Sequence, residues 1–174
     1  FVAPKKYFDI YDREKIEIPK ISSDYLATLP GPAVKSIRAK KNQLNLEKET
    51  AQEIKEAYYA TISFVDAQVG RILDHLESNG LDKNTVVVFT SDHGYHLGEH
   101  GHWQKQTLFE NSTRIPLIIS DPNSKSKGVK SSSPVELIDL YPTLMDLTNI
   151  NTPKHVVGKS LGPIMKNVNA SIRE

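Results

Sequence analysis

One long helical period constrains this chain more than any other feature. From Leu46 to Leu76, apolar residues recur every three or four positions, at Ile54, Tyr58, Ile62, Val65, Val69, Ile72, Leu73 and Leu76. That spacing predicts an amphipathic helix with one apolar face. Glu47, Glu49 and Glu53 suit its positive N-terminal end, and Asn79-Gly80 is a stop signal. At 1.5 Å per residue, about 30 residues make a rod about 45 Å long. Such a rod has to lie across a broad sheet or a layer of helices.

The strands around it are short and strongly marked. Thr85 to Thr90 (Thr-Val-Val-Val-Phe-Thr) is a β-branched run of the kind expected in a strand buried on both faces. Ile115 to Ser120 is a second such run, with Pro116 tolerable near its start. A helix, a Gly-containing turn and a buried strand make half of an α/β unit, so the fold class predicted is α/β. Pro134 to Leu147 reads as a further helix with a break or kink at Pro142. Residues 1–45 show no sustained period and read as an extended connection over a larger body, with a short helix near Lys5–Tyr11. Residues 46–148 form the α/β core portion, and residues 149–174 open a C-terminal region with little periodicity. The chain starts on Phe1-Val2-Ala3-Pro4 rather than Met, and it is expected to be a piece of a longer protein.

Composition removes several function classes. The 22 basic and 21 acidic residues leave a net charge of +1, which gives no reason to expect nucleic acid or an anionic membrane as partner. Any anion must be gripped locally. There is no cysteine, which excludes disulfides, thiolate metal sites and a cysteine nucleophile within this sequence. No apolar run approaches the roughly 20 residues of a membrane-spanning helix.

Chemistry concentrates between the two strands, in Ser91-Asp92-His93-Gly94-Tyr95-His96-Leu97-Gly98-Glu99-His100-Gly101-His102-Trp103-Gln104-Lys105. Four of the six histidines fall within ten residues there. Asp92 and His93 come just after a strand end, where open α/β sheets bind ligands, and both side chain types can hold one metal ion. Lys105 is a compact cation suited to a sulfate or phosphate oxygen. An Asp-Gly pair after a strand also makes ordinary turns, and Asp92 as a helix N-cap is the plain alternative. His96, His100 and His102 are expected to orient neighbours or bond backbone, and Trp103 to pack. His96-Leu97-Gly98-Glu99-His100 also matches the H-x-x-E-H pattern of inverzincin peptidases. That chemistry needs a continuous helix, which Gly94, Gly98 and Gly101 oppose at about 1 kcal/mol each.

On these residues the chain resembles the sulfatase family of the alkaline-phosphatase superfamily, and within it the iduronate-2-sulfatase-like and choline-sulfatase-like members. The resemblance runs in order through Tyr58–Gly70, Val86–Lys105, Arg114–Ile118, Val135–Leu144 and Gly158–Leu161, and Pro4–Phe8 resembles the stretch after a substrate-binding histidine. It implies a sandwich with a central mixed sheet flanked by helices. It implies that Asp92 and His93 bind a divalent cation, usually calcium, and that Lys105 binds the sulfate of a sulfated carbohydrate; Tyr95 is a candidate to line the sugar pocket, with packing as the alternative. The Asp-His form of the motif and the Tyr95-to-Trp103 loop favour the iduronate-2-sulfatase-like branch, hence a 2-O-sulfated uronate. A secreted, periplasmic or lysosomal-type compartment goes with the family.

The sequence departs from the family in what it lacks. The formylglycine nucleophile is made from Cys or Ser in Cys/Ser-x-Pro-x-Arg; Ser132-Ser133-Pro134-Val135-Glu136 has Glu where Arg is required. The paired aspartates of the metal shell and the early lysine and histidine sulfate contacts have no counterpart. No catalytic residue is therefore assigned here, and the remaining N-terminal part of the domain is the expected partner. A non-catalytic sulfatase-like binding protein and a phosphoryl-transfer relative are the alternatives. The chain alone is expected to be inactive: an assay of the isolated 174 residues with an aryl sulfate and calcium should give no turnover, and metal-dependent turnover would contradict the assignment.

Overall fold

The structure is a computed structural model that describes residues 1–173. In chain order it contains α1 (Lys5–Phe8), α2 (Ser23–Thr28), α3 (Gly31–Arg38), α4 (Lys48–Ser78), β1 (Val87–Thr90), β2 (His96–Leu97), β3 (Trp103–Gln104), α5 (Glu110–Thr113), β4 (Leu117–Ser120), α6 (Leu140–Leu147) and α7 (Gly162–Lys166), with short 3-10 turns between them. These elements form two compact units. One comprises Phe1–Leu76 and His93–Pro116, the other Glu77–Asp92 and the chain from Leu117 onward.

The predicted long helix is α4, 31 residues from Lys48 to Ser78. It stops at the expected signal, where the Gly80 N–H closes onto Glu77 O at 2.9 Å. The buried face differs from the expected one. Within the first unit α4 buries Ala51, Gln52, Lys55, Glu56 and Ala60, whereas Ile62, Val65, Ile72 and Leu73 of the apolar stripe are exposed. The reason lies in the segment that α4 carries. Residues 13–17 run along the helix without a strand partner, so their carbonyls need donors. Gln52 Nε2 reaches Glu14 O at 3.2 Å and Ile16 O at 2.9 Å, Lys55 Nζ reaches Glu17 O at 2.8 Å, and Arg13 pairs with Glu56 at 2.5 Å. Polar side chains at these positions hold the segment more specifically than leucines would.

Residues 1–45 are less extended than expected. The helix near Lys5 forms as α1, but α2 and α3 form as well. Ser22 caps α2 by accepting from the Tyr25 N–H at 3.1 Å, and Pro32 sits in the first turn of α3. Tyr7, Ile16 and Ile37 of this stretch are buried. The core of the unit is Ala51, Leu97 and Trp103, with Leu46, Ile54, Tyr58 and Tyr95 packed around it. Removing a buried tryptophan of this kind typically costs about 3–5 kcal/mol.

In the second unit β1 and β4 pair antiparallel, Val87 opposite Ser120 and Thr90 opposite Leu117. Both predicted strands exist, each shortened to four residues, with Pro116 just ahead of β4. They are not buried on both faces within this chain. Phe89 and Ile118, opposite each other in the register, are both exposed, so one face of the sheet is open. The helix expected over Pro134–Leu147 starts later, as a 3-10 turn at Leu137–Asp139 followed by α6. Pro142 thereby falls in the first turn of α6, where its missing N–H has no partner to lose.

Asp139 organises this end of the unit. Fully buried, it accepts from the Glu136 N–H at 2.9 Å, the Lys159 N–H at 2.9 Å and Arg173 Nη2 at 2.6 Å, with Arg173 Nη1 on its other oxygen. Burial alone raises a carboxyl pKa, but these four donors outweigh it and bring Asp139 down to about 2. Its contribution to stability is complete above the ordinary carboxyl value of 3.8 and is lost as pH falls through about 2. Asp139→Ala should lower the unfolding free energy by about 2–4 kcal/mol at pH 7, because it leaves the Glu136 and Lys159 N–H groups without their acceptor and Arg173 with Glu136 alone. Urea unfolding at pH 7 and pH 3 checks both parts, since the wild type should lose more stability than the variant on acidification.

Candidate active-site loop

The loop between β1 and β4 is shaped by a miniature hairpin. β2 and β3 pair antiparallel, His96 opposite Gln104 and Leu97 opposite Trp103. Leu97 and Trp103 drop into the core, which anchors both arms. At the turn, Gly98 has φ 103°, His100 φ 59° and Gly101 φ 71°. No helix runs through His96–His100, so the peptidase pattern lacks the geometry it needs. Gly94 lies flat against α5. Its N–H meets Ser112 O at 2.8 Å, and a Cβ there would stand 2.0 Å from Asn111 O, so only glycine fits.

The hairpin returns the chain so that Lys105 reaches His93. Lys105 Nζ lies 2.5 Å from His93 Nε2, although the residues are twelve apart in sequence. The other ring nitrogen, Nδ1, lies 2.8 Å from Gly94 O. A carbonyl oxygen only accepts and an ammonium only donates. His93 Nδ1 therefore carries the proton, and Nε2 presents its lone pair to a cation. Asp92, the last residue of the second unit before Leu117, is exposed, with its Oδ1 3.5 Å from Ser91 Oγ.

Tyr95 is set among aromatic rings. It stacks on Tyr58 of α4 at 5.3 Å and takes Phe1 edge-on at 5.3 Å. Burial raises the pKa of both tyrosines, with Glu99 adding to the effect at Tyr58.

The other histidines support the loop from beneath. His100 stacks on Phe109 at 4.1 Å, its Nε2–H donates to Asn111 Oδ1 at 3.2 Å, and its Nδ1 accepts from the Tyr25 hydroxyl. His96 and His102 are buried, with rings edge to face at 5.0 Å. His96 Nε2 is 2.8 Å from Thr107 Oγ1, while His96 Nδ1 and His102 Nε2 are buried without a hydrogen-bond partner. Burial pushes both pKa values down, His102 to about 4. Two contacts had no sequence signal at all. Lys40 Nζ donates to Gln104 Oε1 at 2.6 Å and Ser36 Oγ to Gln106 O at 3.0 Å, on either side of Lys105.

Asp92 offers a hard carboxylate oxygen, whereas His93 offers an imidazole nitrogen, a donor less usual around calcium. The donor number does not complete a shell, since calcium takes six to eight oxygen ligands. Among the described residues no group of three or more His, Asp or Glu side chains is arranged to hold a metal.

Residues 5–150 match the family model for sulfatases. The chain belongs to the sulfatase family. It is 38% identical over 172 residues to a sulfatase of Formosa agariphila, covering 94% of this chain and 33% of that protein. An N-acetylglucosamine-6-O-sulfatase of Bacteroides thetaiotaomicron is 39% identical over 116 residues, 67% of this chain and 21% of that protein. Human iduronate 2-sulfatase is 31% identical over 176 residues, 87% of this chain and 29% of that protein. Among solved structures, a phosphonate monoester hydrolase from Silicibacter pomeroyi superposes with a TM-score of 0.85 at 32% identity, over 99% of this chain and 36% of that one. A protein solved with its substrate D-glucosamine-2-N,6-O-disulfate gives a TM-score of 0.67 at 31% identity, over 84% of this chain and 32% of that one. The expected α/β fold is thus the fold of this sulfatase-family chain, which spans about a third of the length of the curated relatives it matches.

The buried histidines make the support acid-labile. Between the unfolded value of 6.5 and about 4 the unfolded chain binds a proton that folded His102 does not, so stability falls as pH is lowered through that window. A loss of about 2–3 kcal/mol between pH 7 and pH 4 is expected, and His102→Leu should flatten it. Chemical denaturation across that range is the measurement.

Proposed function

We propose that this chain is the part of a sulfuric ester hydrolase that supplies two metal ligands, Asp92 and His93, and one sulfate contact, Lys105, for cleavage of an O-sulfate from a sulfated carbohydrate. The observation that carries this reading is the approach of Lys105 Nζ to the lone-pair nitrogen of His93 at 2.5 Å. Two groups of opposite preference meet there. Nε2 seeks a cation and the ammonium seeks an anion. Asp92 and His93 Nε2 would hold a bound divalent cation, and Lys105 would bond a sulfate oxygen beside it. A divalent cation there, calcium by family resemblance, would supply positive charge to the sulfate oxygens. The Gly94 O contact keeps the proton on His93 Nδ1 and so keeps Nε2 available. The core beneath Leu97 and Trp103 fixes where Lys105 stands. The formylglycine nucleophile belongs to sequence outside these residues.

For the substrate we take a 2-O-sulfated uronate, which the likeness to iduronate 2-sulfatase supports. Tyr95, braced on Tyr58, is the ring we assign to the sugar pocket. A second reading, hydrolysis of a phosphonate monoester, is favoured by the TM-score of 0.85 to an enzyme of that name. The test uses the full-length protein with an aryl sulfate, a sulfated uronate and an aryl phosphonate. Lys105→Ala should lower kcat/KM for the sulfate ester by about 100-fold or more, and chelation of the metal should abolish it. Turnover of the phosphonate alone would select the second reading, and a Lys105→Ala enzyme as active as wild type would overturn the assignment of Lys105.

A further inference from the structure

The β2–β3 ladder stops one residue before Lys105. Its outer pair is His96 with Gln104, so the ladder itself does not hold the residue that follows. Lys105 is exposed, and the Thr107 N–H closes onto its carbonyl at 2.8 Å, a local turn that bends the chain without tying it to the body of the unit. The tie comes from a distant part of the sequence. Ile37 is buried and anchors α3 within the same unit. Ser36 and Lys40, on either side of Ile37 in sequence, reach the two residues that flank Lys105. Lys40 Nζ donates to Gln104 Oε1 at 2.6 Å and Ser36 Oγ donates to Gln106 O at 3.0 Å, across 64 and 70 residues of chain. The two contacts differ in kind. Ser36 grips main chain just after Lys105. Lys40 grips the side chain of a residue with left-handed backbone, since Gln104 has φ 75°, where residues with a Cβ are uncommon. That conformation turns the chain out of the ladder immediately before Lys105. Without a tertiary hold a glutamine there relaxes toward extended backbone, and Lys105 leaves the hairpin in another direction.

We infer that Lys40 and Ser36 are positioning residues of the sulfate site, which act through Gln104 and Gln106 to set where the Lys105 ammonium stands rather than by meeting the substrate themselves. Their role rests on the assignment of Lys105 to sulfate. Two braces are needed because of the side chain they serve. A lysine ammonium is a point charge on a flexible four-carbon stem, so any shift of its Cα is carried to Nζ. A misplacement of about 1 Å at a reacting centre can cost about 100-fold in rate. Bracing both neighbours fixes the Cα from which the stem starts.

A double-mutant cycle on the full-length protein, assayed with an aryl sulfate, tests this. Lys40→Met keeps the stem and removes the donor, and Ser36→Ala removes the other donor. Lys40→Met should lower kcat/KM about tenfold, chiefly through kcat, and Ser36→Ala about fivefold. Lys40→Arg, which keeps a donor, should return to within about twofold of wild type. Made in a Lys105→Ala background, Lys40→Met and Ser36→Ala should each change the residual rate by less than about twofold, because the group they aim is gone. A role in fold stability alone would lower activity by the same factor in both backgrounds, or lower only the melting temperature, and either result overturns the inference. Should Lys40→Met fail to fold, the Ser36→Ala cycle decides by the same criterion. Failure of the sulfate assignment looks different: wild type without aryl sulfate turnover, or a Lys105→Ala enzyme as active as wild type, would remove that assignment and this inference with it.

Discussion

Leu97 and Trp103 close over Ala51, and the geometry of the loop follows from that contact. Ala51 is small enough for the indole to lie close to α4, and the two apolar side chains face each other across the β2–β3 register. A two-residue ladder has little stability of its own. Pinned at both arms, it becomes a rigid return that delivers Lys105 to His93. The same packing leaves His96 and His102, which alternate with Leu97 and Trp103, inside the protein with two ring nitrogens lacking partners. The site is therefore built on a support that carries a polar cost, concentrated directly beneath the residues assigned to chemistry.

The His93–Lys105 contact joins an imidazole lone pair to an ammonium, and each group is better satisfied by a ligand than by the other. Gly94 against Asn111 and His100 between Tyr25, Phe109 and Asn111 restrict how far either can move.

The long helix was legible because its period repeats over many turns, and the strands because β-branched runs mark them. The face that α4 buries was not. Gln52, Lys55 and Glu56 are buried to satisfy residues 13–17, and that partnership is set by tertiary proximity rather than by local pattern. α2, α3 and α7 are too short for a period to register. The density of histidine pointed to the loop, and the order of motifs pointed to the family. Its place beside Asp92, just after the strand end, set His93 apart from His96 and His102, which are buried supports. The left-handed backbone at Gln104 and its hold by Lys40 were also silent, since neither glutamine nor a distant lysine announces such a role.

The role proposed for His93 and Lys105 requires their pairing to give way to a metal on one side and a sulfate on the other. A diffraction experiment on the full-length protein with calcium and a slowly cleaved sulfated sugar tests it most directly. The expected result is a cation bound by Asp92 and His93 Nε2, with Lys105 Nζ on a sulfate oxygen. Lys105 still bonded to His93, with cation and sulfate bound elsewhere, would contradict it.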